Sequence, residues 1–259
     1  MTVFRNLHAS GLLILPNAWD AASAALMAAA GAKAVATTSA GVAWALGWPD
    51  GAAPPEGELL GAVERMVRAS PVPVSADVEG GFSDDPKAAA AFVKRVADTG
   101  VEGINLEDGA DAPELLAEKI AAIRAAVGPD LFINARCDLW LRGIGAVEGR
   151  LEEAARRAGL YLAAGADGLF MPGVTEPETI RTLAGLGAPL NLLARKGLAD
   201  AAGLEAMGVR RLSAGSNLAA AAYATADRLA RAFLADGLCE PQIEAAMDYG
   251  RLNALMGAT

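Results

Sequence analysis

VPVSADVEGG (residues 72–81) is an apolar run that ends in charge, at Asp77 and Glu79, and this ending decides the fold. The pattern recurs in GINLEDG (103–109), ending in Glu107 and Asp108, and in LFINARCDLW (131–140), ending in Arg136 and Asp138. A near-continuous apolar run marks a strand buried on both faces, as in a parallel sheet covered by helices. Carboxylates and an arginine at such an end are costly unless they pair or bind something. Several strands ending this way place a shared polar site at one rim of a parallel barrel.

Working outward, strand-like runs recur along the chain at 12–16, 34–39, 72–77, 103–108, 131–136, 168–172, 189–194 and 209–214. Helical patterns fill the intervals, as in AWDAASAALMAAAGA (18–32), DPKAAAAFVKRVADTG (85–100) and RLEEAARRAGLYLAAGA (150–166). One phrase, a helix ending in glycine with a strand soon after, repeats as AAGAKAV, DTGVEGI, AAGADGL and AMGVRRL. That is a βα unit in tandem. The chain has 259 residues, and a (β/α)8 barrel needs roughly 250. The expectation is an α/β fold, a (β/α)8 TIM barrel forming one domain over 1–259. The tail reads as two helices. One is expected to close the eighth unit, and the extra C-terminal helix to pack on a neighbouring subunit or over the barrel bottom. WALGWPDG (44–51) and the residues after it are expected to form a rim loop and a short helix.

The net charge is −9, so a phosphate backbone is repelled and nucleic acid is not an expected partner. No uncharged apolar run approaches the roughly 18 residues of a membrane span. The first residues lack the features of a signal peptide, so a cytoplasmic protein with no membrane partner is expected. Cys137 and Cys239 form neither a CxxC pair nor a disulfide framework. His8 is the single histidine, which argues against a histidine-rich metal site.

Barrel active sites lie at the C-terminal ends of the strands. There the first strand supplies Asn17, Trp19 and Asp20, and the second Thr38 and Ser39, with Asp50 on the following loop. The third supplies Ser75, Asp77 and Glu79, placed on one face by the period of two. The fourth supplies Asn105 and Glu107, and the fifth Asn134, Arg136 and Asp138. The seventh adds Asn191, and the eighth Ser213, Ser216 and Asn217. Asp50, Asp77, Glu79 and Glu107 together suit a hard divalent cation, Mg2+ or alternatively Mn2+, which takes oxygen ligands and keeps several waters. Arg136 would then neutralise a substrate carboxylate. The plainer alternative is a structural ion pair of Asp77 and Glu107 with Arg136. TTSAG (37–41) offers backbone N–H groups for a carboxylate, or else is a tight turn. Asp20 serves equally as a helix N-terminal charge. Ser213 and Ser216 are expected as helix caps, His8 at the surface, and Cys137 buried between barrel and helices.

In order along nearly the whole chain, these motifs resemble the isocitrate lyase / phosphoenolpyruvate mutase superfamily. The segments that carry the resemblance are LPNAWDAASAALMAAAGAKAV, TTSAGVAWALGWPDG, SADVEGG, GINLEDG, INARCD and ADGLFMPGVTEP. The resemblance implies a (β/α)8 barrel whose last helix is swapped between subunits of a homodimer or homotetramer. It implies Mg2+, a small 2-oxo or 2-hydroxy carboxylate, and a C–C or P–C bond made or broken beside a pyruvate-type enolate. By position, the carboxylate-binding turn falls on Thr38, Ser39 and Ala40, and the metal-shell acids on Asp50, Asp77 and Glu107. The strand-5 arginine falls on Arg136, and Trp19 and Asn191 are expected beside the substrate.

Two departures narrow the expectation. Ser75 stands where the family's direct metal ligand is an aspartate, with Glu79 as the compensating acid. The lyases carry Lys-Arg-Cys-Gly-His after the fourth strand, and this chain reads DGADAPELLAEKI. The mutase lysine and asparagine are missing there too, and Pro172 replaces a strand-6 glutamate. The expected activity is a Mg2+-assisted carbon–carbon lyase or decarboxylase on a small di- or tricarboxylate. Arg136, Glu107 and Asp50 are its catalytic candidates, and Asp77, Glu79 and Glu107 its metal candidates. The alternatives are a phosphonopyruvate hydrolase or mutase, and a non-catalytic 2-oxoacid-binding barrel. A Schiff-base aldolase fits less well, because no lysine ends a strand; Lys196 lies just beyond the seventh.

Overall fold

A computed structural model of the chain describes residues 2–257. Its nine strands are β1 (Leu13–Leu15), β2 (Asn17–Ala18), β3 (Val35–Thr37), β4 (Val74–Asp77), β5 (Gly103–Glu107), β6 (Phe132–Arg136), β7 (Gly168–Phe170), β8 (Leu190–Leu193) and β9 (Val209–Ser213). All pairings are parallel, in the order β1-β9-β8-β7-β6-β5-β4-β3-β2. The first expected strand is thus split at Pro16. Its first half pairs with β9 and its second with β3, so this stretch closes the sheet into an eight-position barrel. Proline has no N–H to donate, and a strand changing partners can place one at the handover.

The (β/α)8 expectation holds, with the strand ends drawn in by one or two residues. The outward side chains of β5 and β6, such as Ile104, Leu106, Ile133 and Ala135, are fully buried under the helices. The lumen is apolar at its base, where Phe4, Leu13, Leu15, Ala34, Ala36 and Phe132 cluster. Higher up it is polar: Arg211 donates to Asn105 and Ser213, and Asn134 donates to Asn105. Register then levels the rim, with Asp77 opposite Asn105, Glu107 opposite Arg136, and Arg136 opposite Phe170.

Three expectations are corrected. His8 is only 3% exposed, because the short helix Val3–Asn6 tucks it into the barrel base. Its ring stacks on Phe132 at 4.2 Å, and burial pushes its pKa down to about 4, so it is neutral at ordinary pH. The region after the second expected strand carries the helix Ser39–Ala45 directly on β3, and the helix beyond the rim loop, Glu56–Ala69, spans 14 residues. The helix Asn217–Asp236 does not close the eighth unit within this chain: of its residues only Ala219 is buried. Tyr249–Met256, the last helix, lies against Ala21–Ala29.

Candidate active site

A cavity of about 490 Å3 opens at the C-terminal rim of the strands. Volumes of this order suit small-molecule sites. Of the residues expected at this rim, Thr38, Ser39, Ala40, Asp50, Asp77 and Arg136 line it, together with Asn17, Asn105, Ser213, Ser216 and Asn217. Other candidates stand back. Trp19 packs half-buried against the core, and Asn191 is buried below, accepting the Ser213 hydroxyl at 3.1 Å. Asp20 is the helix charge: it caps Ala21–Ala29 in a reciprocal box with Ser23. Ser216 occupies a cap position without a side-chain cap bond, and Ser213 points into the lumen instead of capping.

The turn expected to hold a carboxylate is the first turn of the helix Ser39–Ala45, with Thr38 at its cap position. Gly41 is required there by close approach: a Cβ would come within 2.6 Å of Thr38 Cγ2 and 2.9 Å of Trp19 Cβ. The Ser39 hydroxyl donates to Asp77 at 3.3 Å, and the Thr37 hydroxyl accepts from the Asp77 N–H at 2.8 Å. Glu79 lies two residues beyond the end of β4, so the two-residue period no longer governs it. Its φ is +49°, and that of Phe82 is +54°, a region non-glycine residues seldom occupy. This loop is pinned from below: the buried Lys119 donates to the Gly80 carbonyl at 2.9 Å. Asp77, Glu79, Ser39 and Thr37 also line a second cavity, of about 30 Å3, that is otherwise apolar.

Arg136 is heavily committed. It donates through Nε and Nη2 to both oxygens of the fully buried Asp138, at 2.6 and 2.9 Å. Its Nη1 meets Glu107 Oε2 at 2.5 Å. Arg142 meets the same two acids, Asp138 at 3.0 Å and Glu107 at 3.5 Å. The structural ion pair and the site arginine are therefore one object. Since a guanidinium has five N–H donors, two remain on Arg136 beyond the three used here.

Sequence reasoning missed the support beneath this cluster. Asp108, 2% exposed, accepts Arg157 at 2.7 Å and the Tyr161 hydroxyl at 2.6 Å. Its other oxygen accepts the Asp138 N–H at 2.9 Å, which fixes the acid that grips Arg136. Arg157 and Tyr161 lie on Arg150–Ala163, where their spacing reads only as one face of a helix. Cys137 is buried against this network, as expected, and burial pushes its thiol far up.

The acids outnumber the arginines. Asp50, Asp77, Glu79, Glu107 and Asp138 stand against Arg136 and Arg142. Burial first, then the charges of Asp77 and Asp50, push Glu79 up to about 7. Burial likewise pushes Glu107 up to about 8: the Arg136 charge opposes it, but Asp77, Asp138 and Glu79 reinforce it. Among the described residues no three His, Cys, Asp or Glu side chains are grouped to cage an ion directly. A magnesium ion that keeps most of its waters needs only one or two carboxylates. Asp77 and Asp50 at the cavity wall supply that number, and the unpartnered Ser75 Oγ lies two residues below Asp77 on the same strand. The donor set fits a hydrated Mg2+.

Residues 4–234 match the phosphoenolpyruvate phosphomutase family. An uncharacterized protein of Mycobacterium tuberculosis (strain H37Rv) is 37% identical over 258 residues, covering 97% of this chain and 95% of that protein. The 2-methylisocitrate lyase of Salmonella typhimurium is 32% identical over 187 residues, covering 66% of this chain and 61% of the lyase. In fold alone, the chain is similar to a crystal structure of phosphonopyruvate hydrolase in complex with oxalate and Mg2+. The TM-score is 0.87 at 22% identity, covering 98% of this chain and 94% of that one. The acid-rich rim thus lies in a barrel whose fold the phosphonopyruvate hydrolase shares, and the chain belongs to the isocitrate lyase / phosphoenolpyruvate mutase superfamily.

Proposed function

We propose that the protein is a Mg2+-assisted lyase that cleaves a C–C bond in, or decarboxylates, a small 2-oxo or 2-hydroxy di- or tricarboxylate. The observation that carries this reading is the cavity wall on which Asp50 and Asp77 stand beside the Thr38–Ser39–Ala40 turn. One side offers carboxylates to a cation, and the other offers N–H donors to the oxo-acid head the cation would chelate. Asp77 would hold Mg2+, with Asp50, Glu79 and Glu107 receiving its waters. The bound ion would supply a Lewis acid for charge developing on the substrate oxygen. The first-turn N–H groups of Ser39 and Ala40 bind the head carboxylate and orient it. Arg136, held by Asp138 and Glu107, lines the cavity and keeps two N–H donors that its acids do not use.

Two features favour decarboxylation within this class. The segment after β5, DGADAPELLAEKI, has no cysteine or histidine to act as an acid/base. Where the departing carboxylate sits on the carbon next to the chelated oxo group, the electron pair of the broken C–C bond passes into the enolate as CO2 leaves, and no base is needed to start it. The loop DGADA (108–112) also lacks the lysine and asparagine that the resemblance gives the P–C-cleaving members; Lys119 lies beyond it on the helix Pro113–Val127, bonded to the Gly80 carbonyl. The test is turnover of Asp77→Ala against wild type on the substrate found with Mg2+ present. Loss of at least about a hundredfold is expected for removing a principal charge from the site. Wild-type turnover in that variant would overturn the metal assignment.

A further inference from the structure

The cavity carries a second charged wall. Arg195 and Lys196 line it from the loop after β8, next to Ser216 and Asn217. Around the eight-position barrel, β8 stands four places from β4, which carries Asp77. The basic loop therefore faces the acid wall across the mouth.

Rim lysines and arginines are ordinarily just solvated, and three observations set these two apart. The other arginines at this rim, Arg136 and Arg142, are taken up by Glu107 and Asp138. Among the described residues no carboxylate is paired with Arg195 or Lys196. The loop is also built to a fixed place. Arg195 Nη1 donates to the Gly173 carbonyl at 3.3 Å, and Asn217 Nδ2 donates to the Ala194 carbonyl at 3.0 Å. The Ala194 N–H itself bonds to Ser213 O at 2.8 Å.

We infer that Arg195 and Lys196 form the subsite for a second, distal carboxylate of the substrate, and so select 2-oxo or 2-hydroxy acids that are anionic at both ends. The inference rests on the function proposed above, in which the head of the substrate lies at the acid wall. A ligand with its chelating head there and a carboxylate at the far end neutralises both walls at once. A monocarboxylate of the same head leaves the basic wall uncompensated. With Arg136 largely consumed by its two acids, this loop is also the main supply of uncommitted positive charge at the mouth.

The experiment compares binding in the presence of Mg2+ by titration calorimetry, using oxalate, 2-oxobutyrate, 2-oxoglutarate and 2-oxoadipate as probes. Wild type should bind 2-oxoglutarate or 2-oxoadipate, the two probes with a distal carboxylate, more tightly than 2-oxobutyrate. Arg195→Gln/Lys196→Gln should lose about tenfold in affinity for that dicarboxylate, the scale of two partly exposed charge contacts. Oxalate and 2-oxobutyrate should be unchanged, which also shows that the variant is folded. Lys196→Glu should lose more, and raised salt should shrink the wild-type preference. Equal affinities of the double variant and wild type for the dicarboxylates would overturn the inference, as would an equal loss for all four probes. Failure of wild type to bind oxalate would instead overturn the function on which the inference rests.

Discussion

At the scale of single residues, the site is organised by an acid that never touches the cavity. Asp108 grips Arg157, Tyr161 and the Asp138 backbone, Asp138 grips Arg136, and Arg136 lines the site. Breaking a buried ion pair from one side leaves an uncompensated charge. Arg157→Ala should therefore destabilise the protein by about 3–5 kcal/mol. Tyr161→Phe removes one hydrogen bond to a charged group, for about 1.5–3 kcal/mol. Chemical denaturation of the two variants checks the order; equal, small losses would mean that the network does not hold the rim. The strand-end acids and Arg136 were legible in the sequence because each interrupts an apolar run. Asp108 was legible as a charge, but its partners lie 49 and 53 residues away on one helix, and no local pattern announces them. His8 was misjudged for a related reason: the stacking face that buries it belongs to Phe132, far along the chain.

At the scale of elements, the loop after β4 and the end of β5 carry the charge that makes the site responsive to pH. Glu79 is pushed up to about 7 and Glu107 to about 8, whereas both titrate near ~4.3 in an unfolded chain. A carboxyl raised on folding binds its proton more tightly in the native state. Its stabilising contribution is complete below the unfolded value and is lost as pH rises through about 7 for Glu79 and about 8 for Glu107. The metal-free protein should thus lose melting temperature as pH rises from about 5 to about 8, where both carboxyls become ionised in the folded state as well. Mg2+ needs the ionised forms, so its stabilising effect should grow over the same interval and its binding should release protons. Melting curves at pH 6 and pH 8.5, with and without Mg2+, check both signs. A larger Mg2+ effect at pH 6 would contradict the assignment. The strand positions were readable from apolar runs and glycine stops, as at Gly100 and Gly165 with φ of +98° and +109°. The split of the first strand was not, since Pro16 changes the strand's partner and leaves the apolar pattern intact.

At the scale of the whole molecule, the helix Asn217–Asp236 leaves the barrel uncovered. Leu218, Tyr223, Phe233 and Leu234 on it are 42%, 41%, 43% and 82% exposed. Ile14, on the outer face of β1, is 58% exposed and lines a groove with Leu12, Met27 and Leu218. Apolar surface of this kind on both the helix and the barrel wall is costly in water. We propose that a second copy of the chain covers it, each helix packing on the partner's barrel in a closed, symmetric homodimer or a tetramer built from two such dimers. Light scattering should show an even-numbered assembly, and Ile14→Glu should shift it toward monomer; a wild-type monomer at micromolar concentration would contradict the swap. The sequence showed the extra helices but not their placement, because an amphipathic pattern names the buried face and not the chain that buries it.

Metal-dependent turnover of a carboxylate tests the central claim most directly. Release of CO2, pyruvate or glyoxylate would be followed from oxaloacetate, methylisocitrate, isocitrate, substituted malates and phosphonopyruvate, in Mg2+ and in EDTA. The account predicts turnover of at least one carboxylate in Mg2+, its abolition by EDTA, and no phosphate from phosphonopyruvate. Carboxylate turnover indifferent to EDTA, phosphate release as the sole activity, or tight oxalate binding with no turnover of any compound would contradict it.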